Sequence, residues 1–147
     1  MNIFNEAIEV ADIHKTRILD AMTHLTKLFP MNSEKLSHIQ QVDTVYLDAL
    51  IHRFSKLQDY MGSKLIDLFL DSQGEQTHNL SMLDKLHKLE KMGVIEDSFT
   101  WLKMREIRNH LAHEYPRHPD ITTKNLNDVF FYAPELIKLL NKNKTIR

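Results

Sequence analysis

Apolar side chains recur three or four positions apart along most of the chain, the spacing that lines one face of an α-helix. The first such face carries Ile3, Phe4, Ala7, Ile8, Ala11, Ile18, Ala21, Met22, Leu25, Leu28 and Phe29, and predicts a helix over 3–29 that Pro30 ends. Ser33, with Glu34 in the first turn, is the expected cap of a second helix. Its apolar positions Leu36, Ile39, Val42, Tyr46, Leu50, Phe54, Leu57, Met61, Leu65 and Leu68 persist to about Asp71. Gly62 lies inside this long pattern, at a cost of roughly 1 kcal/mol against alanine, and is a candidate bend. Ser72-Gln73-Gly74-Glu75-Gln76-Thr77 then reads as a polar loop.

A short third helix is expected from Asn79 or Ser81, burying Leu80, Leu83, Leu86 and Leu89 and stopping at Gly93, where a left-handed residue suits glycine. Asp97 or Ser98 caps a fourth, which runs through Trp101 until Tyr115-Pro116-Arg117-His118-Pro119 breaks it. A fifth begins at Thr122 or Thr123 with Leu126, Val129, Phe130, Ala133, Leu136, Ile137 and Leu140 inward, and Pro134 kinks it or divides it in two. The tail from Asn141 to Arg147 is basic and expected to fray. Helices joined by short loops pack as antiparallel neighbours. The expectation is therefore an all-α fold, an up-down bundle of four main helices plus a short extra one, in a single domain over 1–147. The sequence shows no repeat, low-complexity tract or second domain.

Composition agrees: with 3 glycines and 4 prolines among 147 residues, helix is favoured over sheet. The absence of cysteine excludes a disulfide framework and a thiolate metal site, and suits a reducing cytoplasm. No apolar run approaches the roughly 18 residues that cross a bilayer, and Met1-Asn2-Ile3-Phe4-Asn5-Glu6 lacks the basic start and apolar core of a signal peptide. A cytoplasmic protein without a membrane partner is expected. A net charge of −1 gives no global basic field, so contact with nucleic acid has to come from a local patch.

That patch is Arg105-Glu106-Ile107-Arg108-Asn109-His110-Leu111-Ala112-His113-Glu114-Tyr115-Pro116, which concentrates arginines, histidines, an amide and a phenol. Lys103, Arg105, Arg108 and Arg117 outnumber Glu106 and Glu114, enough local positive charge to hold a phosphate backbone. On a regular helix Trp101, Met104, Arg108, Leu111, Ala112 and Tyr115 form one stripe, with Tyr115 about 20° from Arg108. Phe99, Leu102, Glu106, His110 and His113 form another, and His113 stands roughly 140° from Arg108. Three readings follow: the helix loosens before Pro116, a second subunit supplies the other member of the pair, or no shared site exists. In the last case the arginine is a surface ion-pair partner and the imidazole is half-buried.

The chemistry these residue types suit is RNA cleavage without metal, in which the neighbouring 2′-hydroxyl attacks the phosphate. Histidine exchanges protons near neutral pH and arginine offers a fixed fork to the phosphorane charge. Trp101 and Tyr115 carry faces on which bases stack, although core packing is the stronger role for Trp101. Glu106, His110 and His113 share a stripe and could ligate zinc, but the usual glutamate between two histidines four apart is missing. Arg53 falls on the apolar stripe of Tyr46, Leu50 and Leu57, which favours a structural ion pair with an acid on another helix over a role in lining a cleft. No glycine-rich phosphate loop, paired carboxylate set or serine elbow occurs.

Arg108-Asn109-His110-Leu111-Ala112-His113-Glu114-Tyr115 resembles the Arg, four residues, His, one residue, Tyr motif of HEPN domains, specifically of the HepT-like toxins paired with a minimal nucleotidyltransferase antitoxin. Asn109, the polar residue directly after the arginine, fits that motif, and Leu102–Ile107 resembles the helix preceding it. The all-α layout agrees over nearly the whole chain. Around Arg53-Phe54 and Asp59 the likeness to the family's second helix is less sharp. The resemblance implies a HEPN-like homodimer whose two motif copies face one cleft. It implies a metal-independent endoribonuclease that needs no cofactor and cuts RNA, often tRNA or mRNA. Arg108 would then hold the phosphate and His113 act as acid or base, with Asn109, Arg105 and His110 in support. It also implies that the antitoxin transfers AMP from ATP onto Tyr115, closing the cleft by charge and bulk. The alternative, from a different class, is a non-catalytic bundle that serves as substrate-binding or regulatory partner of a nucleotidyltransferase.

Overall fold

The structure, a computed structural model, describes the backbone of residues 3–113 and 119–146 and the side chains of 3–111 and 122–144. The described residues are helical and contain no strand. In order they form α1 (Ile3–Leu25), α2 (Ser33–Ser37), α3 (Gln41–Tyr60), α4 (Ile66–Ser72), α5 (Met82–Lys91), α6 (Ser98–His113) and α7 (Pro119–Ile146). No helix is long and apolar enough to cross a membrane among the residues described.

The first helix ends in a 3-10 turn, Thr26–Leu28, rather than running as α-helix up to Pro30. The expected second helix is divided in three. Asn32, not Ser33, caps α2, its side chain accepting from the Lys35 amide at 2.8 Å. The Ser37 hydroxyl then donates to the Glu34 carbonyl at 2.8 Å, while the His38 and Ile39 amides reach back only three residues. The side chain and the tightened turn take the carbonyls a continuing helix would use, so the chain leaves the helix and Gln40 is extended. The apolar spacing carries no trace of this break. Val42, expected inward, is exposed.

Between α3 and α4 the helix widens into a π turn, Met61–Leu65, which contains the glycine singled out as a bend. The turn brings Gly62 against the six-membered ring of Trp101, where an added Cβ would stand 3.1 Å from Cζ2. Glycine suits this close approach, since a Cβ here would press on the indole of α6 by a few tenths of an ångström.

Ser81 caps α5, accepting from the Asp84 amide at 3.1 Å, and Gly93 ends it at φ +74°. Leu86 and Leu89 are buried, whereas Leu83, expected beside them, is 46% exposed. Two further differences concern α7. It starts at Pro119, ahead of the expected Thr122 or Thr123, where a proline's fixed φ and missing N–H suit the first helical position. It also passes Pro134 undivided. Ala133, Leu136, Ile137, Leu139 and Leu140 are buried around that proline, and their packing outweighs one missing backbone hydrogen bond. The expected fraying of the tail is not seen through Lys144, which pairs with Asp12 of α1, next to a 3.1 Å bond from Lys15 to Asn141.

One contiguous apolar cluster draws on α1, α3, α4, α5, α6 and α7. Ala7, Ala11 and Ala21 are small residues on the buried face of α1, which lets its backbone lie close to α3. Asn127 grips Met31 on both sides, accepting from its amide at 2.7 Å and donating to its carbonyl at 2.9 Å. With Phe29 stacked on Phe130 at 4.0 Å, this fixes the first half of α7 against the segment after α1. Replacing Gly62 by leucine must displace the indole or the turn and should lower stability by about 2 kcal/mol. Urea denaturation followed by the fluorescence of Trp101, the chain's one tryptophan, measures it; an unchanged midpoint would contradict this packing.

Candidate functional site

Helix α6 begins at a capping carboxylate: Asp97 Oδ1 accepts from the Thr100 amide at 2.8 Å. Trp101, Met104 and Ile107 are each 1% exposed, and this buried side sets the rotation of the helix. Arg108 follows at the margin of the buried face, half-exposed. Its guanidinium donates from Nη2 to Asp59 Oδ2 of α3 at 2.8 Å and from Nη1 to Asn109 Oδ1 at 3.2 Å. An arginine presents five N–H donors, so these two bonds hold the fork in place while leaving others uncommitted among the described residues.

Beside it lies a pocket of about 400 Å³, within the size range of small-molecule sites. Three helices form it. From α3 come Asp48, Ile51, His52 and Ser55, from α6 Arg108, His110 and Leu111, and from α7 Thr122, Asn125 and Leu126. Ile51, Leu111 and Leu126 give it apolar surface, and the rest of the lining can donate or accept hydrogen bonds. Asn125 is only 5% exposed, yet its amide makes no hydrogen bond to a described group. The Thr122 hydroxyl is buried and likewise unpartnered. Leaving that hydroxyl unpaired costs about 1–3 kcal/mol.

Of the residues expected to act together, Arg108, Asn109 and His110 are gathered here, with His110 also 4.0 Å from Glu106. Arg105 is not. It lines a separate shallow groove with Gln58, Asp59, Gly62 and Trp101. Helix α6 remains α-helical through His113, so no loosening before that residue turns it toward Arg108. The side chain of His113 and the whole of Tyr115 lie outside the described residues, and so does the zinc set of Glu106, His110 and His113 in its full form. Among the described residues no group of three metal-ligating side chains occurs. Trp101 is buried and offers no face to a base.

The pocket's α3 wall was not anticipated. Asp48, His52, Ser55 and Asp59 recur at four, three and four residues, a polar stripe beside the apolar one and the signal that could have found it. Asn125 and Thr122 had no signal beyond helical spacing to the apolar Leu126 and Val129.

Arg53 sits beyond the pocket. Its partner is His14 of α1, not an acid: Nη1 donates to Nδ1 at 3.3 Å, which requires a neutral imidazole with its proton on Nε2. Burial pushes the His14 pKa down, and the positive charges of Arg53, His52 and Lys56 push it further the same way. Arg53 and Lys56 thus make a basic patch that adjoins the pocket through His52, with the neutral His14 as its hydrogen-bond acceptor.

The chain matches no family model, no curated protein and no solved structure. The site therefore stands on its own geometry.

Because the unfolded chain protonates His14 more readily than the folded one, the stability this residue contributes is intact above about pH 6.5 and lost as pH falls through its lower folded value. Thermal melts of His14→Gln between about pH 7 and pH 5 should therefore show a shallower loss of stability than the parent chain. Equal slopes would mean that His14 is not held neutral.

Proposed function

We propose that the chain is the toxin of a toxin-antitoxin pair, a HEPN-like, metal-independent endoribonuclease that cuts RNA in the cytoplasm as a homodimer of up-down helical bundles. The observation that carries this reading is the Arg108 guanidinium, fixed by Asp59 and Asn109 on the wall of a pocket that two imidazoles, His52 and His110, also line. A held guanidinium with unused donors suits the charge that builds on a phosphate under attack by the neighbouring 2′-hydroxyl. His113 exchanges the protons, taking one from the attacking hydroxyl or giving one to the leaving oxygen.

Since His113 lies roughly 140° from Arg108 on one helix, a second copy supplies it. Phe99 and Leu102 support such pairing: they share the stripe of His110 and His113 and are 70% and 41% exposed, apolar surface that a partner can cover. The basic patch of Arg53 and Lys56, next to His52, gives the RNA backbone a path away from the pocket. The antitoxin, a minimal nucleotidyltransferase, places AMP on Tyr115 and so adds negative charge and bulk at the cleft.

A second reading has one observation in its favour. The Asp59 carboxylate neutralises Arg108, as expected of a structural ion pair in a non-catalytic partner of a nucleotidyltransferase.

Cleavage of RNA by the purified chain separates the two. Arg108→Ala and His113→Ala should each lower the rate about 10²- to 10³-fold with chelator making no difference. Equal cleavage by all three proteins, cleavage by none, or a stable monomer in sedimentation would remove the nuclease reading. Incubation with the adjoining nucleotidyltransferase and ATP should raise the mass of the Tyr115 peptide by whole AMP units. An unshifted peptide would remove the antitoxin step.

A further inference from the structure

The pocket beside Arg108 is more than a phosphate would fill. At about 400 Å³ it has room for a base and its sugar, with apolar walls from Ile51 of α3, Leu111 of α6 and Leu126 of α7. Asn125, a residue only 5% exposed, lines it, and no hydrogen bond joins its amide to a described group; the Thr122 hydroxyl beside it is buried and without a partner among the described residues. We propose that this pocket receives one adenine of the RNA, read by Asn125 while the neighbouring phosphate lies on Arg108. The inference rests on the nuclease reading for the source of the adenine but not for the existence of the base site.

The choice of base follows from the donors and acceptors. An asparagine amide presents one donor and one acceptor side by side, the complement of adenine's N7 acceptor and N6 amino donor. Guanine shows two acceptors on that edge and calls for a cation. The cation at hand, Arg108, gives its remaining donors to the neighbouring phosphate in this arrangement and is not left to read the base. At the exposed rim, the Asp48 carboxylate offers an acceptor to the second hydrogen of the amino group and only repulsion to a carbonyl oxygen. Uracil, with a carbonyl where adenine and cytosine have an amino group, is the base this lining disfavours most. The apolar walls serve any base face equally, so the discrimination falls to Asn125 and Asp48.

With no hydrogen bond to a described group, the Asn125 amide is available to a ligand in the pocket. Leucine has nearly the same size and takes no hydrogen bond, so Asn125→Leu removes the reading group while keeping the packing volume.

The test titrates the full chain calorimetrically with 5′-AMP, 5′-GMP, 5′-CMP and 5′-UMP, beside Asn125→Leu, and maps the sites cut in an RNA of mixed sequence. The parent should bind 5′-AMP about tenfold or more tightly than 5′-UMP, within the range a bidentate amide-adenine pair gives. Asn125→Leu should reduce 5′-AMP to the affinity of 5′-UMP without lowering the melting temperature. Should the leucine variant melt early, Asn125→Ser, which keeps a hydroxyl but not the side-by-side donor and acceptor, replaces it. Equal affinity for the four nucleotides, or selectivity that survives both substitutions, overturns the base site. Cleavage that depends on Arg108 but shows no preference for adenine also overturns it, and leaves the nuclease reading standing. Selective 5′-AMP binding by a chain that cuts no RNA supports the base site and removes the nuclease reading instead.

Discussion

Everything at the candidate site depends on how α6 is rotated about its own axis, and that rotation is set by a close contact. Trp101 buries its indole against Gly62, at a place where the helix after α3 widens into a π turn. Met104 and Ile107 continue the buried side three and six residues further on, toward the motif. With those three inward, Arg108 falls at the edge of the buried face and within reach of Asp59. A larger residue at position 62 would press on the indole that helps to set this rotation. A packing constraint about two turns away thus decides where a charge stands.

How much of this could be read from the sequence differs by element. The helical class and the inward faces of α1 and α7 follow from apolar spacing, because burial of one face is what that spacing encodes. Caps were legible where a carboxylate or hydroxyl precedes an apolar run, as at Ser81 and Asp97. The break at 38–40 was not legible, because Leu36, Ile39 and Val42 keep the helical period across it. What stops the helix is side-chain competition at Ser37 together with the tightened turn at His38 and Ile39. The fifth helix begins at Pro119, ahead of the expected Thr122 or Thr123, because proline suits a first helical position, and Pro134 does not divide it, because the neighbours of that proline hold the helix together. Among site residues, Arg108, Asn109 and His110 were found from a charged cluster on one segment. Asp48, His52 and Asn125 come together only through packing of three helices, and no local pattern announces that.

The charges around the pocket are arranged in two separate balances. Arg108 is held by Asp59, so the pocket keeps a guanidinium whose orientation is fixed but whose field is largely cancelled. Arg53 is held by an imidazole that must stay neutral to accept from it, so its positive charge is not cancelled. The first arrangement gives geometry at the expense of attraction, and the second keeps attraction at the pocket's margin. A polyanion would be drawn first to His52, Arg53 and Lys56 and oriented afterwards at Arg108.

The same helix geometry limits what one copy can do. Five residues of regular helix separate Arg108 from His113, and α6 is regular through both. No side-chain rotation spans the roughly 140° between them when the helix body, about 10 Å thick with its side chains, stands in the way. Within one chain Arg108 stands with the imidazoles of His52 and His110 on the wall of the pocket, whereas the backbone position of His113 lies roughly 140° further round α6. Whatever enters the pocket therefore meets groups of α3, α6 and α7 together, with the Arg108 guanidinium held in place by Asp59 before anything arrives.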